Sequence, residues 1–352
     1  MNPTEFSTSA KAIVDWIAAY RARVAGLPVM AQTAPGEIKA QLPATPPEHP
    51  EPFDTILQDF DRVIVPGLSH WQSPKFFGYF PGAGSLSSVL GDYLSTGLSI
   101  VGLSWQASPA LTELEEVTTE WMRQMVGLSS RWSGVIQDTA STSTLVALIC
   151  ARERATNYSL ARGGLQAEAH ALVVYASGHS HSSVEKAAIL AGFGRANVRV
   201  VPHDESYDMQ ADALNEMMRA DASRGLVPCA VVATTGTTAV TALDPVRDIA
   251  RVARAHGAWV HVDAAMAGSA MIIPELRWMW DGIEDADSLV LNPHKWLGVV
   301  FDCSLYYVRD AEHLMRVMST NPSFLQSGPD HALDRRMRNV AFVPKHDIFH
   351  GR

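Results

Sequence analysis

The chain has 352 residues, is 47% hydrophobic and 18% charged, and carries a formal net charge of −9. That length and apolar content suffice for one large domain with appendages, or for two domains around sizeable cores. A mildly acidic chain with no basic block argues against nucleic acid as a partner and offers no polybasic patch to a membrane surface.

In chain order, residues 5–26 place Ala10, Ile13, Val14, Ile17, Ala18 and Val24 at helical spacing, which predicts an amphipathic helix. The proline-rich stretch 43–52 reads as a linker and 53–65 as a second helix. The aromatic run HWQSPKFFGYFPGAGS (70–85) is broken by Pro and Gly and reads as a loop packed against something. From 86 onward, apolar runs alternate with helical patterns. Helices are predicted over 111–126, 141–154, 182–192, 209–220 and 244–256. Strands are predicted over 133–137, 171–176, 197–201, 229–234, 258–263, 287–291 and 303–308. Continuous Val/Ile/Leu strands alternating with helices predict an α/β fold with a mostly parallel seven-stranded sheet covered on both faces.

Three cysteines, Cys150, Cys229 and Cys303, lie in or beside apolar runs, with neither a CxxC nor a metal-ligand spacing. No disulfide framework is expected, and a reducing cytoplasm fits. The first residues, MNPTEFSTSAKAIVDW, lack the apolar core of a signal peptide, and no uncharged apolar run approaches a membrane span. The expectation is a cytoplasmic protein.

Ligands of open parallel sheets bind beyond the carboxyl ends of the strands, so the chemistry is sought there. After strand 133–137 comes DTAST, a hydroxyl-rich helix start. It is suited to a phosphate, and equally to an ordinary cap. After 171–176 come His179 and His181, and after 229–234 the small loop TGTTAV. After 258–263 comes Asp263 in HVDAAMAGSA, an acid flanked by small residues that let a flat group approach. After 287–291 comes NPHK with Lys295, a lysine inside the otherwise apolar run LNPHKWLGVVFDCS. A buried ammonium is costly, and imine formation removes the cost. A helix start, a histidine, an acid and a lysine at one sheet edge match the needs of pyridoxal 5'-phosphate. Its phosphate wants the helix start, its aldehyde an amine, and its pyridine nitrogen a carboxylate. Read instead as metal ligands, His261, Asp263 and His294 form no supported set, because no second acid–His pair accompanies them. No metal is expected.

The segments HWQSPKFFGYFP, LSWQASPALTELEEV, GVIQDTASTSTLVAL, SSVEKA, ATTGTT, HVDAAMAGSA, LNPHKWLGVVFDCS and NPSFLQS, in this order and spacing, resemble the group II pyridoxal-phosphate-dependent decarboxylases of the aromatic-L-amino-acid decarboxylase family, from about residue 5 to about 327. The resemblance implies a fold-type-I, aspartate-aminotransferase-like enzyme. It would decarboxylate an L-amino acid, with aromatic ones favoured, through a Schiff base on Lys295. It also implies that Asp263 pairs with the pyridine nitrogen and that His181 stacks on the ring. Ala140 and Ser141 would bind the phosphate with Asn292 and His294 close by, Thr238 would lie near the ring, and Ala265 would pack on its other face. Trp71, Tyr79, Phe80, Pro81 and Gly82 would form the substrate-facing wall. Family members are homodimers, so a homodimer is implied.

Departures from the pattern are Gly82, where a hydroxyl residue is usual, and Gly178-His179, where Asp-Gln is usual. After NPSFLQS the tail GPDHALDRRMRNVAFVPKHDIFHGR has no tyrosine and does not resemble the family's catalytic loop or small domain. The expectation is a chain truncated or frame-shifted after about residue 327. Its architecture would be an N-terminal helical arm (1–85), a cofactor-binding large domain (86–315) and a divergent C-terminal segment (316–352), with the small domain largely missing. The alternative function is a remnant that binds pyridoxal phosphate but is catalytically impaired.

Overall fold

The computed structural model describes residues 1–319 apart from 81, 83, 103, 104 and 106. The chain clusters into two compact units, residues 1–83 and 84 onward.

The first unit begins with α1 (Pro3–Arg23). Its start is a capping box: the Asn2 side chain accepts the Thr4 and Glu5 amides, and the Glu5 carboxylate accepts the Asn2 amide. Helix α2 (Glu37–Gln41) is short, and α3 (Phe53–Asp59) runs into a π turn (Phe60–Ile64) and a 3-10 turn (Val65–Gly67). The single helix expected over 53–65 is therefore three segments, the last of which contains Pro66, a residue that cannot donate a helical hydrogen bond. The aromatic stretch packs on itself. Trp71 stacks on Tyr79 at 5.5 Å and on Phe76 at 4.9 Å, and meets Phe80 edge-on at 5.1 Å.

The second unit contains α4 (Leu86–Leu98), α5 (Pro109–Met125), β1 (Ser133–Gln137), α6 (Ala140–Ala155), β2 (Leu172–Ser177), α7 (Ser183–Leu190) and β3 (Val198–Val201). These are followed by α8 (Ala211–Ser223), β4 (Val227–Thr234), α9 (Val246–Ala255), β5 (Trp259–Asp263), β6 (Ser288–Leu291), α10 (Pro293–Trp296), β7 (Ser304–Val308) and α11 (Ala311–Met318). All seven predicted strands are present, in the order β1-β7-β6-β5-β4-β2-β3. Strand β7 runs antiparallel to β1 and β6, and the remaining pairs are parallel. Six strands thus point their carboxyl ends at one edge, and β7 begins there. Helix α4 was not predicted, because its sequence LSSVLGDYLSTGL is rich in Gly and Ser, which favour helices poorly. Ser85 starts it by accepting the Ser88 amide at 3.1 Å.

Strand alternation sorts the core into two layers. Trp259 of β5 packs with Val146 and Leu148 of α6, while Val260 and Val262 pack on the opposite face with Ile249 of α9. His261 and Asp263 share the face of Trp259.

Asp244 ties the carboxyl end of β4 to the loop before α8. Its two oxygens accept the Met209 and Thr234 amides, each at 2.7 Å. Burial outweighs those bonds and pushes its carboxyl up to about 6. A carboxyl raised in the fold contributes stability that is complete below its unfolded value near 4 and lost as pH climbs through about 6. Asp244→Asn leaves one buried amide facing an NH2 instead of an oxygen. We expect it to cost about 1–3 kcal/mol, measured by urea denaturation at pH 7. An unchanged midpoint would contradict this account.

Candidate active site

The carboxyl edge of the sheet collects the residues singled out in the sequence. After β1, Thr139 caps α6: its hydroxyl accepts the Thr142 amide at 3.3 Å and its carbonyl the Ser143 amide at 3.1 Å. The two preceding helical amides, of Ala140 and Ser141, are taken by no acceptor among the described residues. They sit at the positive end of a 16-residue helix, an anion site by construction.

After β2, His181 is exposed at the start of α7. Its Nδ1 lies 2.8 Å from the Ser183 hydroxyl and accepts the Ser183 amide at 3.2 Å, which fixes the ring and leaves Nε2 outward. After β4, Thr238 is exposed in a loop whose Gly236 has φ +80°, where a Cβ would come within 2.9 Å of the Ala267 Cβ. The Thr235 amide donates to the Asp263 carbonyl at 2.9 Å, joining this loop to β5.

Asp263 ends β5 and is 5% exposed. Its Oδ1 accepts the Ala265 amide at 3.1 Å, and Ala265 itself is buried. The small residues that follow are required by packing. A Cβ on Gly268 would meet the Leu291 Cβ at 2.7 Å and the Ala264 Cβ at 3.0 Å.

After β6, Asn292 directly precedes the one-turn helix α10, which carries His294 and Lys295. This turn is clamped to the start of β7. The Ser304 hydroxyl donates to Asn292 Oδ1 at 2.7 Å, and the Cys303 amide donates to His294 Nδ1 at 3.0 Å. The Ser85 amide also donates to the Gly298 carbonyl at 2.6 Å, tying the loop after Lys295 to α4. Lys295 is half-buried. Burial pushes its ammonium below the usual lysine range, against the opposing pull of the Asp263 charge. Burial, and then the Lys295 charge, lower His294 to about 4, so this imidazole is neutral at pH 7.

The second unit therefore brings Ala140, Ser141, His181, Thr238, Asp263, Ala265, Asn292, His294 and Lys295 to one edge of one sheet. Trp71, Tyr79, Phe80 and Gly82 lie in the first unit, and Pro81 lies outside the described residues. The sequence reading noted Thr139 within a hydroxyl-rich helix start and missed the supporting residues Ser183, Cys303 and Ser304. A Ser at the first position of a helix signals Ser183. The last two become visible only once β7 is known to begin beside α10.

These residues fit pyridoxal phosphate. The unused α6 amides suit its phosphate, a buried acid suits its ring nitrogen, and a lysine pushed toward its neutral form suits its aldehyde.

The model of the pyridoxal-dependent decarboxylase conserved domain matches residues 35–350. That range continues past residue 327, where the motif resemblance was expected to stop. The chain is 41% identical over 339 residues to the tyrosine decarboxylase of Papaver somniferum, covering 93% of this chain and 65% of that protein. It is 41% identical over 337 residues to the aromatic-L-amino-acid decarboxylase of Bos taurus, covering 93% and 69%. The solved structure of Oryza sativa TDC with PLP and tryptamine superposes with a TM-score of 0.90 at 39% identity, covering 96% of this chain and 71% of that one. The chain thus spans just under two thirds of the poppy relative's length. On its motifs, its fold-type-I sheet and these matches, the chain belongs to the pyridoxal-dependent decarboxylase family.

Proposed function

We propose that this chain binds pyridoxal 5'-phosphate at Lys295 and decarboxylates an aromatic L-amino acid to its amine and CO2. The observation that carries the reading is the meeting of Lys295, Asp263 and the α6 N-terminus at one sheet edge. Relatives named for tyrosine and for aromatic L-amino acids support the substrate class.

When bound, pyridoxal phosphate supplies an aldehyde for the substrate amine and a protonated ring that accepts the electron pair left by the departing carboxylate. The amides of Ala140 and Ser141 would hold the phosphate, with Asn292 and His294 close to it. The Asp263 carboxylate would hold the proton at the ring nitrogen. His181, its Nδ1 fixed by Ser183, would cover the ring on one side and Ala265 would pack on the other. Thr238 would lie near the ring. Lys295 Nζ would be the amine that holds the cofactor's aldehyde, and burial, which lowers its pKa, would suit it to carry a proton.

The test is reconstitution of the purified chain with pyridoxal phosphate, borohydride reduction, and peptide mapping. CO2 release is then measured from L-tyrosine, L-DOPA, L-tryptophan, 5-hydroxy-L-tryptophan and L-phenylalanine. Label on Lys295 with CO2 release supports the proposal. Label without CO2 release from any of them points to the impaired remnant.

The reading includes a homodimer. Leu86, Leu90, Leu94 and Leu98 form an exposed stripe along α4, and Leu114, Val117, Trp121 and Met125 form another along α5. Continuous apolar stripes of this size mark protein contact. Leu94→Glu is expected to move the protein from dimer to monomer in sedimentation velocity, and an unchanged dimer would show that the stripe lies elsewhere than the interface. The reading also places the protein in the cytoplasm, supported by three free thiols. Among the described residues, no helix is long and apolar enough to cross a membrane.

A further inference from the structure

His261 lies two residues before Asp263 on the same face of β5 and is fully buried. Its Nδ1 stands 2.9 Å from the Ser288 hydroxyl, which also takes the Trp259 indole N–H at 2.9 Å. Its Nε2 is buried and has no hydrogen-bond partner among the described residues. Thr234 of β4 is in register with Asp263 and shares its face, and the Thr234 hydroxyl is likewise buried and unpartnered. Two unsatisfied polar atoms therefore flank the acid from adjacent positions, in the layer covered by α6. Burial keeps the imidazole neutral, with its pKa pushed down to about 3. In either neutral tautomer, Nε2 still needs a partner.

We propose that His261 is a positioning residue for Asp263: its Nε2 and the Thr234 hydroxyl hold one buried water between β5 and α6, and that water hydrogen-bonds the Asp263 carboxylate. Alternate strand residues stand about 6.6 Å apart, which exceeds one hydrogen bond and suits two in series. His261, Thr234 and Asp263 give the water three polar partners, the usual number for an internal water. The bridge fixes the carboxylate without adding charge beside it, which the Ala265 amide alone does on one oxygen only. The inference rests on the reading of Asp263 as the acid at the cofactor's ring nitrogen.

Two variants separate the two imidazole nitrogens. His261→Gln keeps a polar atom where Nε2 stands, and His261→Asn keeps one where Nδ1 stands. Both are scored by the pyridoxal phosphate dissociation constant and by the Tm of the cofactor-free protein. We expect the Asn variant to bind the cofactor about ten- to a hundredfold more weakly, the range seen when a supporting partner of a bound group is lost. The Gln variant should stay near wild type, with both variants melting at the same temperature. Equal dissociation constants for the two variants would overturn the proposal. A high-resolution crystal structure of the cofactor-free wild type supplies an independent arm. Density for a water within hydrogen-bond distance of His261 Nε2 and the Asp263 carboxylate supports the bridge, and a dry layer overturns it. A wild type that takes up no pyridoxal phosphate would count against the cofactor reading, while the crystal arm still decides the bridge.

Discussion

Lys295→Ala is expected to abolish borohydride-stable labelling and to lower kcat by at least ~10³-fold, within the range assigned to a single acid–base group. The argument begins with burial. Lys295 sits on the one-turn helix α10, clamped by Ser304 on Asn292 and by the Cys303 amide on His294. Its ammonium is disfavoured there by desolvation, and the neighbouring His294 adds no charge at neutral pH. Desolvation thereby favours the neutral, nucleophilic form of this lysine more than it would at the surface. Lys295→Arg discriminates charge from nucleophilicity, because guanidinium keeps the cation but cannot take up the aldehyde. It should be as inactive as the alanine variant. The stability sign runs the other way. A lysine whose folded pKa is depressed makes the fold bind fewer protons than the unfolded chain, so its penalty is present at neutral pH and fades as pH rises through the folded pKa. Lys295→Met should therefore stabilise the cofactor-free protein at pH 7 by about 0.5–2 kcal/mol, as relief of a functional site commonly does. Labelling that persists elsewhere in the alanine variant, with undiminished turnover, would remove Lys295 from the chemistry.

Most strands were legible in the sequence as short apolar runs bounded by turn or helix signals, as in AVVAT before TGTT. The order of those strands was not legible, since nothing local to SLYYV shows that it inserts between β1 and β6 in the antiparallel sense. The site residues could be found because α/β topology sends every βα loop to one edge. Asp263 and Lys295 could therefore be placed together while 32 positions apart. What stayed hidden depends on tertiary contact. The Cys303 amide on His294 and the unpaired Nε2 of His261 have no sequence signature, because each follows from which strand lies beside which. Helix α4 was hidden for a different reason: its Gly and Ser content hides a stripe of leucines at helical spacing.

Asp263→Asn carries the second large effect, an expected fall in kcat of about 10²–10³-fold, the size seen when one preorganised electrostatic contact is removed. The substitution is nearly isosteric. Asparagine Oδ1 still accepts the Ala265 amide, so the turn after β5 and the close contact at Gly268 are kept. What would be lost is the negative charge proposed to hold a proton at the ring nitrogen, and an amide would not replace it at a residue that is 5% exposed. Asp263→Glu keeps the charge but lengthens the side chain into a packed neighbourhood, so it should be intermediate. A further readout separates loss of charge from loss of shape. The Asp263 charge supports the Lys295 ammonium, so removing it lets the lysine pKa fall further. The pH at which cofactor attachment to the Asn variant is half-maximal should accordingly move to lower pH than in wild type, even as turnover falls. A merely structural role for Asp263 predicts weaker attachment at every pH with an unmoved midpoint, and more than a tenth of wild-type kcat remaining would contradict its place at the ring nitrogen.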